Sequence, residues 1–310
     1  MITAPHDTDL DGRIRRAAME WLDKVVTDEK QVVHREELRN FVFEGEPFPL
    51  VDRQLGIRKP GRLPAALSIL TTYTSDNERP PYEDAIGSDG LLRYKYQGHD
   101  PQLYTNVGLR EAFHRGVPLI WFFGVGQSRY LPIYPVWIVA DEPEKLQVAV
   151  ALSADQRKTS TSVSTPIERR YATQTSKRRL HQPVFRERVL QAYGNSCAIC
   201  HLRHSSLLDA AHIIPDHEEQ GIPAVSNGLT LCKIHHAAYD HNLLGIRPNL
   251  TVHIRSDILL VVDGPMLKHG LQEMHDAHLS VPRRKVDRPN PEAIAKRYAR
   301  FMTSQLGQVE

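Results

Sequence analysis

Long apolar runs are missing from this chain of 310 residues, and so is a strong excess of either charge. A membrane helix needs roughly 18 to 20 consecutive apolar residues, and the opening stretch MITAPHDTDLDGRIRRAAME also lacks the apolar core of a signal peptide. The formal net charge of +2 fits any mixed-charge surface, so it selects no partner. We expect a cytoplasmic protein with no membrane partner.

Cysteine is scarce as well, and internal repeats are absent from the sequence. The chain has three cysteines, and two of them form the pair Cys197-x-x-Cys200. An odd number without an export signal favours metal binding or redox chemistry over a disulfide framework. The hydrophobic content of 41% and the charged content of 25% are those of an ordinary globular protein, and the length predicts two domains.

The first part of the chain predicts a helix followed by a mainly β domain. Residues 8–26 carry apolar residues at helical spacing, namely Ile14, Ala17, Ala18, Trp21 and Leu22. From about residue 40 to 152, Gly and Pro separate short runs such as FVFEGEPFPLVD, ALSILTTYT, LLRYKYQG and YLPIYPVWIVAD. These runs predict strands, and we expect a barrel-like or curved sheet within a domain at 1–152.

Residues 153–182 predict a linker between the domains. They are rich in Ser and Thr, and seven Lys or Arg stand against two acids. Such a segment suits either a position near phosphates or a solvated tether. The second domain, at 183–310, predicts one helix from Pro183 to Gly194 and another at 290–306. The fold class is therefore α+β.

Residues 195–246 hold all three cysteines and seven of the 16 histidines. Zinc in structural sites takes four S or N ligands, and two ligands separated by two residues reach one ion together. Such pairs are Cys197 with Cys200, and Cys232 with His235. They predict a structural Zn2+ site, with unrelated buried cysteines as the alternative. Four protein ligands close a zinc site to substrate, so any catalysis must come from other residues.

Three further polar residues lie within or directly after this zinc frame. His212 stands in DAAHIIP, Asn227 in SNGL, and His236 follows the fourth zinc ligand. The pattern AAHI, then NGLTLCKIHH and a nearby acid, resembles the HNH endonucleases, whose fold is the ββα-metal motif. The resemblance covers roughly residues 183–302. It implies a domain that hydrolyses phosphodiester bonds of double-stranded DNA.

The resemblance also implies roles for these residues. In that family the first histidine is the general base, the asparagine orients it or contacts the metal, and the last histidine binds a divalent cation. The roles pass to His212, Asn227 and His236 respectively, with Mg2+ or Mn2+ as the catalytic ion. A neutral imidazole suits the base role, because it can take a proton from water near neutral pH.

One position departs from the family pattern. Many HNH enzymes carry an acidic metal ligand immediately before the base, where this chain has Ala211. Asp209 lies three residues before the base, so on a strand it would face away from His212. We expect Asp240 to replace the missing ligand, because it lies four residues after His236 on a predicted helix.

The N-terminal domain predicts a selector for the nuclease. Its stretches LGIRKPGRLPAALSILTTYT, DGLLRYKYQGHDPQ and YLPIYPVWI resemble the N-terminal domains of type IV, modification-dependent restriction enzymes. Among these, the resemblance is to the sulfur-binding domain that recognises phosphorothioate DNA, and it covers roughly residues 10–152. The implied partner is modified duplex DNA.

The candidate DNA contacts in this domain are cations and one Tyr-Pro pair. Cations in a Gly and Pro loop suit phosphate contact or the reading of guanine, and alternate cations share one face of a strand. Sulfur in a phosphate is more weakly hydrated than oxygen, which favours an apolar pocket beside cations. The predicted contacts are Arg58, Lys59, Arg62, Arg93, Lys95, Tyr134 and Pro135. For the aromatic residues, a place in the β core is the alternative.

Three other functions stay open at this point. A domain that flips 5-methylcytosine or 5-hydroxymethylcytosine into an aromatic pocket is compatible with the tyrosine-rich sheet. An HNH nuclease or nickase without selectivity is the second. The third is a zinc-stabilised DNA-binding protein with a dead nuclease centre, against which the joint presence of His212, Asn227 and His236 speaks. The oligomeric state is also open, although cutting both strands with one active site per chain favours a homodimer.

Overall fold

The computed structural model describes residues 10–27, 30–73, 87, 89–159, 173–174, 177–218 and 220–306. The chain divides into two compact units, Met1–Pro183 and Val184–Glu310. The linker predicted at 153–182 lies partly outside the described residues, and the domain division drawn from the sequence stays a prediction. None of the helices in the described ranges has the length and apolar character needed to span a membrane.

The first unit begins with the predicted helix α1, Leu10–Val25, which buries Ile14, Ala18 and Leu22. The other helices of this unit are α2 (Arg35–Arg39), α3 (Tyr104–Arg115) and α4 (Ala154–Thr159). Its strands are β1 (Val33–His34), β2 (Val42–Phe43), β3 (Glu46–Pro47), β4 (Ile57–Arg58), β5 (Ser68–Thr71), β6 (Leu92–Lys95), β7 (Leu119–Gly126), β8 (Arg129–Glu142) and β9 (Gln147–Ala151).

Seven of these strands form one sheet in the described part of the chain. Their order is β4-β5-β7-β8-β9-β6, with β1 beside β8, and only the pair β5 and β7 is parallel. The long strand β8 pairs with β7 along its first half and with β9 along its second half. Register shifts interrupt both ladders, and such bulges bend a sheet.

A hydrogen bond across the sheet demonstrates how strongly it curls. Tyr94 of β6, the last strand in the order, donates to the carbonyl of Gly56 beside β4, the first strand, at 2.9 Å. In a flat sheet these two strands would lie about 24 Å apart, since neighbouring strands are about 4.8 Å apart. The predicted curved sheet with an N-terminal helix is therefore confirmed.

The second unit is built around the antiparallel hairpin β10 (Leu208–His212) and β11 (Gly228–Cys232), which leads directly into a helix. This ββα order is the one that the sequence predicted, and the α+β fold class is confirmed. The remaining elements are α5 (Gln182–Ala192), α6 (Lys233–Asp240), β12 (Leu244–Ile246), β13 (Val252–Ile254), α7 (Ser256–Leu260), α8 (Pro265–Gly270) and α9 (Pro291–Leu306).

The core of this unit lies under the hairpin and between α6, α9 and the strands β12 and β13. Leu229, Leu231 and Leu244 are fully buried in it, together with Tyr239 of α6. Helix α9 comes so close to β12 that a methyl group added at Gly245 would lie 2.5 Å from the ring of Phe301. This packing holds the hairpin and α6 as one rigid support for the side chains described next.

Candidate metal centre and active site

Four side chains with metal-binding atoms meet where β11 passes into α6. Cys197 and Cys200 lie in the loop after α5, Cys232 ends β11, and His235 lies in the first turn of α6. Their ligand atoms all lie within 4.8 Å of one another. Within the described ranges, they are the group of three or more histidine, cysteine and acidic residues found close enough to hold one ion.

The distances within this Cys3His cluster fit a tetrahedral zinc ion. Sγ of Cys200 lies 3.9 Å from Sγ of Cys232, and Nδ1 of His235 lies 3.2 Å from the same Cys232 sulfur and 3.5 Å from Sγ of Cys197. With Zn–S bonds of about 2.3 Å, two sulfur atoms in a tetrahedron lie about 3.8 Å apart. The donor set and its spacing therefore suit zinc without rearrangement.

The other ring nitrogen of His235 orients it for this task. Nε2 donates to the carbonyl of Gly270 at 2.8 Å, which leaves the lone pair of Nδ1 directed at the cysteines. Carbonyl partners of this kind fix the tautomer of metal-binding histidines. Hydrogen bonding with Cys232, opposed by burial and assisted by His235, lowers the pKa of the Cys197 thiol. The same contact raises the pKa of the Cys232 thiol and burial raises that of Cys200, so the thiolate, which is the form that binds metal, is favoured at Cys197.

The predicted base, His212, is the last residue of β10 and pairs with Gly228 of β11. Its imidazole stacks on the ring of Phe185 from α5, with ring centroids 4.0 Å apart and planes 12° apart. Burial lowers the pKa of His212, and His236 acts in the same direction against the carboxylates of Asp216 and Asp240. The ring is therefore neutral at neutral pH, which is the state that a general base requires.

His236 of α6 lies between two carboxylates. Its Nε2 is 3.2 Å from Oδ2 of Asp240, and its Nδ1 is 3.3 Å from Oδ2 of Asp209. Lys233 donates to both oxygens of Asp209 at 2.7 Å. Burial opposes the change, but the hydrogen bonds from Lys233 and His236 lower the pKa of Asp209. The predicted neighbours His236 and Asp240 are thus brought together, with Asp209 as a third member.

Asp209 lies beside His236, contrary to the expectation that its strand face excludes it from the metal site. Asp209 does face away from His212, but the acidic ligand of the family stands at the position of Ala211, and that position shares a strand face with Asp209. This face lies against α6, because Asp209 contacts both Lys233 and His236. The sequence reasoning therefore missed Asp209 and Lys233, which a comparison of position 209 with position 211 would have identified.

Asn227 is buried, and its amide is fully engaged by the backbone. Its Oδ1 accepts from the amide of Ile214 at 2.9 Å, and its Nδ2 donates to the carbonyls of Ile214 at 2.9 Å and Ile222 at 3.1 Å. These bonds fasten the chain two residues after His212. Of the two roles expected for Asn227, they fit the orientation of the base.

The donors at His236 suit a hard divalent cation. Nε2 of His236 and the carboxylate of Asp240 form an N and O pair at one end of α6. Mg2+ is usually held by one or two protein groups, with substrate phosphate and water as its remaining ligands. The pair fits Mg2+ or Mn2+ in this way.

The first candidate DNA contacts lie in and after β4. Arg58 donates to the carbonyl of Pro49 at 3.1 Å and lies 3.8 Å from Asp52, so part of its charge is neutralised. The stem of Lys59 packs against Gly108 of α3. Arg62 is exposed, and no ion pair engages it within the described ranges. Arg62 is therefore the most available cation of this loop.

The candidate cations of β6 are engaged inside the first unit. Arg93 is sandwiched between Asp89 and Glu142, at 2.8 Å from each. Lys95 donates to Oε1 of Gln147 at 2.6 Å. These partners give both residues a structural reason to be present that is independent of DNA.

Tyr134 borders a cavity of about 290 Å³ in the first unit. Its hydroxyl donates to Asp23 at 3.0 Å, and its carbonyl accepts from Arg179 at 3.1 Å. Burial lowers the pKa of Arg179, a residue that the sequence reasoning did not single out. Pro135 follows Tyr134 through a cis peptide bond but does not line the cavity. The lining residues are Val26, Thr27, Gln31, Leu131, Pro132, Ile133, Tyr134, Arg179 and Pro183.

Comparison with known proteins bears on the second unit. Residues 197–247 match the family model described as HNH endonuclease, and this range contains the Cys3His cluster, the hairpin and α6. The chain therefore contains an HNH endonuclease domain, and the prediction of a metal-dependent nuclease with a DNA substrate is confirmed. No curated protein matches the chain.

One solved structure aligns with most of the chain, but the sequence identity and the structural similarity are both low. It is titled "Modification dependent TagI restriction endonuclease", with 17% sequence identity over 80% of this chain and 85% of that chain, and a TM-score of 0.28. A TM-score this low does not establish a common fold.

Proposed function

We propose that this protein is a modification-dependent restriction endonuclease that recognises phosphorothioate duplex DNA and hydrolyses phosphodiester bonds. The observation that carries the proposal is the arrangement around the hairpin. A half-buried His212 ends β10, burial lowers its pKa and so favours the neutral ring, and the Cys3His cluster joins α6 to the hairpin. We assign Zn2+ to that cluster as a structural ion, and Mg2+ or Mn2+ to His236 and Asp240.

The hydrolytic step follows from the protonation state of His212. A water oxygen forms a bond to phosphorus while its proton passes to the neutral imidazole, and the bond from phosphorus to the leaving sugar oxygen breaks. The sugar oxygen then takes a proton from solvent. His236 and Asp240 would hold the divalent cation, which would supply positive charge to the phosphate and to the leaving oxygen. Asn227 keeps the base at the end of its strand by holding Ile214.

The cavity beside Tyr134 supports the recognition of sulfur. Its lining is about equally polar and apolar, and Arg179 adds one partly buried cation. Sulfur is softer and less hydrated than oxygen, so the apolar part of this lining next to a guanidinium favours a phosphorothioate over a phosphate. Exposed Arg62 offers a backbone contact of the ordinary kind.

The aromatic residues of the sheet give less support to a base-flipping domain. Trp121 is 2% exposed and packs on Tyr94 and Phe123, with ring centroids at 5.8 Å and 6.0 Å. Its Nε1 donates to Thr71 at 2.8 Å. This cluster is filled by its own side chains, so a flipped cytosine would need to displace core residues to enter it.

The test is cleavage of three matched duplexes, phosphorothioated, 5-methylcytosine-containing and unmodified, with Mg2+ or Mn2+. We expect cleavage of the sulfur duplex alone and no cleavage by H212A on any duplex. Cleavage confined to the methylated duplex would replace backbone recognition by base recognition. Equal cleavage of all three would leave an unselective nuclease, and no cleavage by the natural protein would leave a zinc-stabilised DNA-binding protein.

Two further parts of the proposal concern assembly and place. Each chain carries one hydrolytic centre, so we propose that two copies act together when both strands are cut. Light scattering with and without the sulfur duplex measures this, and a single chain bound to fully cut DNA contradicts it. The cytoplasmic location expected from the sequence is also part of the proposal, and cell fractionation tests it.

A further inference from the structure

We propose that Phe185 is a positioning residue for the general base, and that Gly228 exists to let it reach that base. The inference rests on the proposed role of His212. It adds a residue of α5 to a site otherwise built from the hairpin and α6. The flat contact of the phenyl ring fixes the plane of the imidazole and keeps water from one of its faces.

The ring of His212 is held by its stack on Phe185. No group within the described ranges hydrogen-bonds to this imidazole, whereas the stack on Phe185 is close and nearly parallel, at 4.0 Å and 12°. The second side-chain torsion of histidine has broad minima, so an isolated ring samples many planes. Contact with a buried phenyl ring, only 2% exposed, removes that freedom. The in-plane nitrogens stay accessible, because stacking covers a face and not an edge.

A glycine in the hairpin lets α5 come close to His212. Gly228 is the residue directly opposite His212 in the hairpin. A methyl group added there would lie 2.9 Å from Cζ of Phe185 and 2.4 Å from Cγ2 of Val189. Gly228 has φ −127°, an extended conformation that any residue adopts, so glycine is needed here for space and not for its backbone freedom. The glycine of the NGL motif is thus explained by the close approach of α5, whose Val189 and Phe185 both occupy the space of a larger side chain.

Helix α5 is also fastened to the hairpin around this contact. Thr230 of β11 donates to the carbonyl of Val189 at 3.2 Å. Arg186 donates to the carbonyls of Ser205 at 3.2 Å and Leu208 at 2.9 Å, at the start of the base's own strand. Phe185 is therefore held in register with β10, which a positioning contact requires and which ordinary core packing does not.

The experiment compares F185L and F185A with L190A, measured as the single-turnover cleavage rate at saturating DNA and as the Kd for DNA. F185L keeps apolar volume but loses the flat face, so it remains informative if F185A fails to fold. Leu190 is a buried residue of the same helix, and L190A is the matched control for lost packing. Zinc content and thermal unfolding are measured for all three variants.

We expect F185L and F185A to lose about tenfold to a hundredfold in rate with the Kd for DNA unchanged within about twofold. L190A is expected to lose stability but less than about threefold in rate while folded. Folded F185L at the natural rate, or equal rate losses in F185L and L190A, would overturn the proposal. Failure of the proposed function is distinct, because it appears as H212A cutting as fast as the natural protein.

Discussion

The two units differ in how their polar side chains are used. In the second unit, the three cysteines and His235 meet in a Cys3His cluster, and the adjacent His236 pairs with Asp240. In the first unit, the cations predicted to contact DNA have separate surroundings, and some are neutralised by acids from other segments, as Arg93 is by Asp89 and Glu142. Metal ligands have few uses in a fold other than binding metal, whereas an arginine has many.

Sequence patterns therefore identify metal ligands more reliably than they identify DNA contacts. Zinc ligands repeat at short spacing because two of them must reach one ion from one local turn, so the pattern survives in the sequence. A DNA-binding surface draws cations from strands far apart in the chain, and the acids that neutralise them come from further segments. Five variants test this contrast.

The largest effect is expected from C232A. In small zinc domains the bound ion contributes about 10–16 kcal/mol, which exceeds the net stability of most domains of about 5–15 kcal/mol. We expect the variant to lose zinc, to unfold its second unit and to lose all cleavage. Zinc per chain and limited proteolysis measure this. H204A changes an exposed histidine in the loop that follows Cys200, and this control should keep its zinc. A C232A protein with full zinc content would contradict the assignment of Cys232 as a zinc ligand.

H212A comes next. Removal of the general base should lower the cleavage rate by about 10² to 10⁴, because proton transfer from water then lacks its acceptor. Zinc content and the Kd for DNA should stay unchanged. H217A, at an exposed neighbouring histidine, is the control and should cut normally. A natural cleavage rate in a folded H212A protein would assign the base to another residue.

D209N should have a smaller effect, on the catalytic metal alone. The carboxylate of Asp209 accepts from Nδ1 of His236, and loss of such a partner typically weakens metal binding about 10-fold to 100-fold. A Mn2+ titration followed by electron paramagnetic resonance measures the affinity. D257N, which alters an exposed acid paired with Arg255, should leave the affinity unchanged. Equal affinities in D209N and the natural protein would remove Asp209 from the site.

The smallest effects are expected from R62A, which should change DNA binding, and from R93A, which should change stability. Because Arg62 is exposed, R62A should change stability by less than about 0.5 kcal/mol but weaken DNA binding and lower its salt dependence by about one ion. R93A should lower the free energy of unfolding by about 1 to 2 kcal/mol, since two carboxylates lose their partner. Chemical unfolding and binding at several salt concentrations check both. The reverse result would make β6 the DNA-binding strand.

The fold could be predicted where apolar periodicity is strong. Strands β7, β8 and β9 coincide with apolar runs, and α1 and α9 carry clear helical spacing. Helix α3 was missed because the side it buries includes Thr105, Asn106 and Gly108, which give no apolar signal. Helix formation there depends on tertiary partners, since the Asn106 amide donates to the carbonyls of Gln97 and Asp100.

The candidate site shows the same limit. The four zinc ligands and the histidines 212 and 236 follow from spacing and from resemblance. The place of Asp209 depends on which hairpin face α6 covers, and the helical pattern marks Phe185 only as an apolar residue. A local sequence pattern does not reveal that Asp209 contacts α6 or that Phe185 stacks on His212. The neutralisation of Arg93 by Glu142 joins residues almost fifty positions apart, which no local reading detects.

His235 and His236 are consecutive residues of α6, one in the Cys3His cluster and the other beside Asp240. Neighbours on a helix keep a fixed angle of about 100° between them, so the place of one determines the place of the other. On the proposed assignment, the ion held by the Cys3His cluster would therefore also set the place of the ligand for the catalytic ion. A newly made chain without zinc would then leave the DNA around it uncut.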